Sequence, residues 1–284
     1  MQFVDFAKAH GILINDLYPS DRIHRCGTVN KPKSKNGAWF WDGDRGWVFD
    51  WSGDATVLWY GENKPWTDED KAAWKQKRQA ANAKVDDLQR KTADRAAEML
   101  NKCKPGEHNY FHYKGFPKET GLILDSALAI PMRDFVTNDL LGLQFITWNE
   151  ETRHYDKKMM YGMKAKGAVF KLGSRTAQET YFVEGLATGL SVEHALRSIG
   201  IHGLVIVCFS AGNLEYVAQR MKGKKFIFAD NDASGTGEKV SIATGLPYCM
   251  SDTVGQDAND LHISEGLMSV CQKIMKLRNT VTNA

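Results

Sequence analysis

Phe226-Ile227-Phe228-Ala229-Asp230-Asn231-Asp232-Ala233-Ser234-Gly235-Thr236-Gly237 is the stretch that decides how this chain is read. A short apolar run, the length of a buried strand, stops at two aspartates. Small residues follow at once. In a strand, residues i and i+2 point to the same face. Two carboxylates held side by side repel each other. A positive group should compensate, and the usual one is a divalent metal ion.

Outward from that stretch, short apolar runs alternate with amphipathic ones. "ETYFVEG", "GLVIVCFS" and "KKFIFAD" read as strands, and "LATGLSVEHALRSIG", "AGNLEYVAQRMKG" and "GTGEKVSIATG" as helices. A short strand near "PYCM" and a final helix from about Ile263 to Lys276 complete the pattern. Such alternation predicts an α/β fold with a parallel, doubly wound sheet. In open sheets of this kind active residues gather beyond the carboxyl ends of the strands. Glu184 ends one predicted strand; Asp230 and Asp232 follow another. Converging carboxylates make an oxygen-rich site that suits Mg2+ or Mn2+. Asp257 and Asp260, in "GQDANDL", could join from the side.

Further upstream the character changes. Residues 107–175 carry strand-like "SALAIPMRD" and "LLGLQFITWN", then a basic, glycine-punctuated stretch, "HYDKKMMYGMKAKGAVFKLG". Residues 67–103 read as one long helix with Thr67 as its cap. Lys71, Lys75, Lys77, Arg78 and Lys84 make its first half basic. A solvated spacer is the simpler account, and a helix tracking a phosphate backbone the sharper one. Residues 21–60 read as a small antiparallel unit, preceded by a short helix. Trp39, Trp41, Trp47, Trp51 and Trp59 crowd into it. A small sheet needs large side chains for its core; a base-stacking surface is the alternative. The expected organisation is 1–66, a small β-rich domain; 67–106, a linker helix; 107–175, a mixed α/β part; and 176–284, the strand–helix core.

Bulk properties narrow the classes. Hydrophobic content of 43% and charged content of 25% belong to a globular chain rather than a disordered one. A net charge of +3 permits a nucleic-acid partner without arguing for one. Five scattered cysteines with no CxxC pair argue against a disulfide framework and a cysteine-rich zinc ribbon. His24, His108 and His112 lack metal-type spacing with cysteine, and His194 reads as a surface or satisfied histidine. No apolar run reaches transmembrane length. The first residues lack a signal-peptide core, so a cytoplasmic protein without membrane partners is expected.

Glu184-Gly185 after one strand and Asp230-Asn231-Asp232 after a later one resemble the Toprim domain of bacterial-type primases, topoisomerases and some nucleases. The resemblance narrows to DnaG-like primases of phages and plasmids. It rests on "EGLATGLS" from Glu184, "AGNLEYVA" from Ala211, "DANDL" from Asp257, Gln144-Phe145-Ile146, the Lys158–Gly167 segment, and His108, Tyr110, Lys114 and Gly115. It implies a primase that joins ribonucleoside triphosphates on a single-stranded DNA template, with Glu184, Asp230, Asp232 and Asp260 holding Mg2+ or Mn2+. Whether Glu184 ligates or shuttles a proton stays open. It also implies that Lys157, Lys158, Lys164, Lys166 and Asn213 face nucleotide or template. The loop after Asp232 is shorter than that family's. The chain has no GxxxxGK[ST], which implies a separate helicase partner, and no zinc module of the sort that reads a start site. A phage-encoded chain would work in the host cytoplasm. A Toprim nuclease and a noncatalytic replication-accessory protein are the rival readings. A topoisomerase is disfavoured for want of strand-passage apparatus.

Overall fold

The computed structural model describes residues 2–20, 22–52, 56–61, 68–174 and 176–282. They fall into two units, Met1–Lys77 and Arg78–Ala284.

The first unit opens with α1 (Phe3–Ala9), where Asp5 accepts a hydrogen bond from the Gln2 amide at 3.2 Å. Four antiparallel strands follow in chain order: β1 (His24–Cys26), β2 (Gly37–Trp41), β3 (Gly46–Asp50) and β4 (Leu58–Tyr60). The β2–β3 turn is closed by Asp42, whose carboxylate accepts the amides of Asp44 and Arg45 at 2.9 and 2.7 Å. Phe3 and Ala7 of α1 pack with Ile12, Trp39 and Val48 into the core. Strand alternation puts Trp39, Trp41, Val48, Leu58 and Tyr60 on this buried face. Trp47 and Trp59 are therefore on the other.

Helix α2 (Asp68–Lys102) has neither glycine nor proline and is rich in alanine, so propensity carries its length. Lys75, Lys77, Arg78 and Lys84 are exposed. The expected Thr67 cap, and the side chain of Lys71, lie outside the described residues. Among its described side chains, the buried ones lie toward its end: Thr92 and Ala96 are covered, and the Thr92 hydroxyl donates to the carbonyl of Leu88 at 2.8 Å.

The second unit continues with β5 (Lys104–Gly106), α3 (Asn109–Tyr113), β6 (Gly121–Leu124), β7 (Ala127–Asp134), β8 (Leu140–Asn149), β9 (His154–Met159) and β10 (Ala168–Gly173). Then come β11 (Glu179–Val183), α4 (Leu186–Ser198), β12 (Gly203–Val207), α5 (Ala211–Arg220), β13 (Lys224–Phe228), α6 (Thr236–Thr244), β14 (Tyr248–Cys249), α7 (Ala258–Glu265) and α8 (Leu267–Thr282). One ten-stranded sheet runs β14-β13-β11-β12-β10-β7-β6-β5, with β8 on β7 and β9 on β8.

The expectation of a parallel sheet holds for β11 to β14 only. From β10 onward the pairings are antiparallel. The fold is therefore α/β with a mixed sheet. No helix intervenes between β6 and β10, and without a crossover helix neighbouring strands join antiparallel. Strand β10 pairs β7 on one edge and β12 on the other, so the antiparallel and parallel strands share one sheet. The predicted final helix is two, α7 and α8, parted at Gly266 with φ +88°.

Alternate residues of the parallel strands feed two cores. Tyr181, Val183, Val205, Val207, Phe226 and Phe228 pack against α4, α7 and α8. Phe182, Ile206 and Ile227 pack against α5, with Val240 of α6 at the margin. Each fully buried aromatic contributes about 2–3 kcal/mol.

Candidate active site at the switch point of the parallel strands

Strand β11 lies between β12 and β13. Its helix α4 leaves toward one face of the sheet, while α6, following β13, packs on the other. The connections part at the carboxyl ends of β11 and β13, which is where open α/β sheets form a crevice. Glu184 follows the last residue of β11; Asp230 follows β13 by two. The Glu184 carbonyl accepts the Phe209 amide at 2.8 Å, which ties the ends of β11 and β12 together.

Asp230 and Asp232 do not share a strand face, as the i, i+2 reading predicts. The strand ends at Phe228, and Asn231 instead forms a bridge with Gln256. The Asn231 side chain donates to the Ser251 carbonyl at 3.0 Å. These bonds clip the 251–257 loop beside the aspartates. Asp232 turns toward the start of α6, where it accepts the amides of Ser234 at 2.8 Å and Gly237 at 3.1 Å, and the Ser234 hydroxyl. Those donors, led by the Ser234 side chain, hold its pKa down at about 2. Gly237 has no substitute here: a Cβ on it would stand 2.2 Å from the Asp230 carbonyl oxygen.

Asp230 has the opposite surroundings. Its Oδ1 is buried and has no hydrogen-bond partner. Burial, then the charges of Asp257 and Glu184, push its pKa up to about 7 against the opposing pull of Lys157, with Asp232 adding a little. Glu184 is raised as well, by burial and then by Asp232, again opposed by Lys157. The charges of Asp257, Glu184 and Asp232 thus all bear on Asp230, and that of Asp232 on Glu184.

Asp257 caps α7, accepting the amides of Asn259 at 2.7 Å and Asp260 at 2.9 Å. Its second oxygen accepts the Thr188 hydroxyl at 3.0 Å, which fixes it against α4. Asp260 closes the reciprocal half of this capping box by accepting the Asp257 amide at 3.3 Å. The structure therefore brings Asp257, rather than Asp260, into the electrostatic group. The pair is visible in "DAND", but which member caps and which faces the strands depends on where the helix starts.

Lys157 completes the cluster. The residue as a whole is exposed, yet its ammonium sits in a packed surround. That desolvation lowers its pKa, and Lys114 adds to the effect, while Asp257, Asp230 and Glu184 oppose it. Its ammonium stands 5.9 Å from the centre of the Tyr110 ring. Tyr110 is fully buried, and its hydroxyl, which makes no hydrogen bond, has its pKa raised by burial and then by Asp257. Tyr110 and Lys114 join the site as members of "HNYFHYKG", a stretch singled out only by resemblance.

The other basic candidates lie elsewhere. Lys158 is next to Lys157 on β9, so it points to the opposite face, where it pairs with Asp156 at 3.2 Å. Lys164 pairs with Asp134 at 3.6 Å. Lys166 lies 4.5 Å from the ring centre of Tyr216. Asn213 is a bracket: its amide donates to the carbonyls of Ala168 and Cys208, each at 2.8 Å, and its oxygen accepts the Gly167 amide at 2.7 Å.

The donor set suits a hard divalent cation, and an unpartnered buried carboxylate oxygen is what such an ion satisfies. As the side chains stand, no three Asp, Glu, His or Cys groups among the described residues form a ligand cluster. What the structure displays is electrostatic coupling rather than a formed cage. No helix among the described residues is long and apolar enough to cross a membrane. No known family pattern and no curated protein matches this chain.

Proposed function

We propose that this chain transfers nucleotidyl groups in a metal-dependent reaction on nucleic acid, as a Toprim-type primase that makes short RNA primers on single-stranded DNA. One observation carries the reading: the buried, unpartnered Oδ1 of Asp230, surrounded by the charges of Asp257, Glu184 and Asp232. A site serving stability alone would place an arginine or a hydrogen-bond donor there. Among the described residues Lys157 is the cation that opposes Asp230 and Glu184, and its own surroundings work against its charge.

Glu184, Asp230 and Asp232, with Asp257 beside them, would hold Mg2+ or Mn2+. The ion, when bound, supplies charge neutralisation at the hydroxyl and phosphate oxygens. The chain's own groups do the rest. Glu184, where it does not ligate the ion, is placed to take the proton of the attacking primer 3′-hydroxyl. Lys157, reaching in from β9 with Lys114 nearby, suits the triphosphate of the incoming nucleotide. Lys158, Lys164, Lys166 and Asn213 have partners of their own and are left out of the reaction.

The test is primer synthesis. Single-stranded DNA of mixed sequence, labelled ribonucleoside triphosphates and Mg2+ are incubated with the wild type or Asp230→Asn, and products are run on a denaturing gel. Short labelled oligoribonucleotides are expected from the wild type, with a loss of about 100-fold or more in the variant. DNA shortened only by the wild type would make the chain a nuclease. Intact DNA with no product in either lane would favour an accessory role.

A further inference from the structure

The N-terminal sheet has two faces, and only one is needed for its core. Trp39, Trp41, Val48, Leu58 and Tyr60 take the face packed on α1. The register places Arg25, Phe40, Trp47, Phe49 and Trp59 on the other. Trp51 continues that face just past β3: its ring centre is 4.7 Å from that of Phe49. Trp51 and Trp59 are 61% and 63% exposed. Indoles left this open contribute little to a core; Phe40, Trp47 and Phe49 of the same face are half-buried, and exposed aromatics gathered on one face mark an interaction surface. Phe40 and Trp47 lie nearly parallel, 19° apart with centroids at 6.2 Å.

Charge says what the partner is. Residues 22–41 hold five cations, Arg22, Arg25, Lys31, Lys33 and Lys35, and no acid. All five are exposed. The Arg25 guanidinium sits 5.1 Å from the Trp51 ring centre, and its Nε donates to the Lys35 carbonyl at 2.8 Å, which holds it there. Flat rings with one fixed cation over them, on a unit whose β1–β2 segment is basic, match a polymer that has π-faces and phosphates in alternation. We infer that this face is a stacking platform for a single strand of nucleic acid, built from Trp47, Trp51, Trp59 and Arg25. It is independent of the carboxylate site and of the reaction proposed there.

The test uses the full chain in EDTA, which removes any metal-dependent contribution of the carboxylates. Fluorescence anisotropy of labelled oligothymidylate and oligouridylate is measured against a duplex of equal length. Trp51→Leu and Trp59→Leu keep apolar bulk but no aromatic face; Trp59→Phe restores a ring. Single strands are expected to quench tryptophan fluorescence and to bind more tightly than duplex. Each leucine variant should weaken binding about tenfold, and Trp59→Phe should recover most of the loss. Equal preference for the two oligomers means the platform reads stacking; preference for one identifies DNA or RNA as its strand. Unchanged binding in both leucine variants, with unchanged thermal melts, would overturn the inference. So would light scattering that finds a wild-type dimer which Trp59→Leu dissociates, since the face would then belong to a second copy.

Discussion

Strand β11 has a glutamate at its amino end and another just past its carboxyl end, and the protein treats them in opposite ways. Glu179 is buried, but it receives Arg278 through two hydrogen bonds of 2.9 and 3.0 Å, Lys224 at 2.8 Å and the Tyr181 hydroxyl at 2.9 Å. Against the burial that would raise it, those donors hold its pKa at about 2. Glu184 and its neighbour Asp230 are raised by burial first and by other carboxylates next. At one end of the sheet the chain supplies its own countercharge. At the other it withholds it, and residual negative charge that proteins do not neutralise is what functional sites keep for ligands.

The sharpest way to break this contrast is at Glu179. Glu179→Gln removes the negative charge that two half-buried cations share, so a stability loss of about 3 kcal/mol is expected by denaturant titration, with primer synthesis unchanged. The pH dependence has a definite sign. A folded pKa of about 2 against an ordinary 4.5 means that the Glu179 contribution is fully present above about 4.5 and disappears as pH falls toward 2. Comparable acid sensitivity in Glu179→Gln and the wild type would remove the structural end of the comparison.

A smaller effect separates adjacent lysines. Lys157→Gln deletes a cation that opposes the rise of Asp230 and Glu184. It should push the titration of both higher and lower activity about tenfold or more, read from the pH profile. Lys158→Gln, on the opposite face of β9, should change neither. Equal effects from the two would mean that strand alternation does not order this edge.

The carboxyl ends of β11 and β13 were legible because apolar runs that stop at acids leave little choice of register. Phe226–Phe228 could only be a buried strand, and Glu184 could only follow "YFV". The antiparallel half was harder. "HYDKKM" has no apolar alternation, because β9 lies at the end of its branch and is largely exposed, so its basic residues read as a loop. Without the strand, Lys157 and Lys158 could not be assigned to opposite faces. Asn213 carried a ligand signature only by resemblance, and two of its three side-chain hydrogen bonds, to Gly167 and Ala168, are long-range ones that no local spacing announces. The tryptophans of the N-terminal unit were counted correctly as a cluster, but the division of Trp39 and Trp41 from Trp47 and Trp59 needed the register.

The most direct measurement is thermal unfolding of the wild type and Asp230→Asn, with and without Mg2+, above neutral pH. A folded pKa of about 7 against an ordinary 3.8 means that the cost of ionising Asp230 appears as pH rises from about 4 and is complete above about 7. Without Mg2+, Asp230→Asn should therefore be the more stable protein, by up to about 4 kcal/mol above pH 7. Saturating Mg2+ should raise the midpoint of the wild type and leave that of the variant nearly unmoved. An Asp230→Asn protein that is less stable than the wild type, together with a wild type indifferent to Mg2+ and Mn2+, would contradict the account of Asp230 as an unneutralised charge held for a cation.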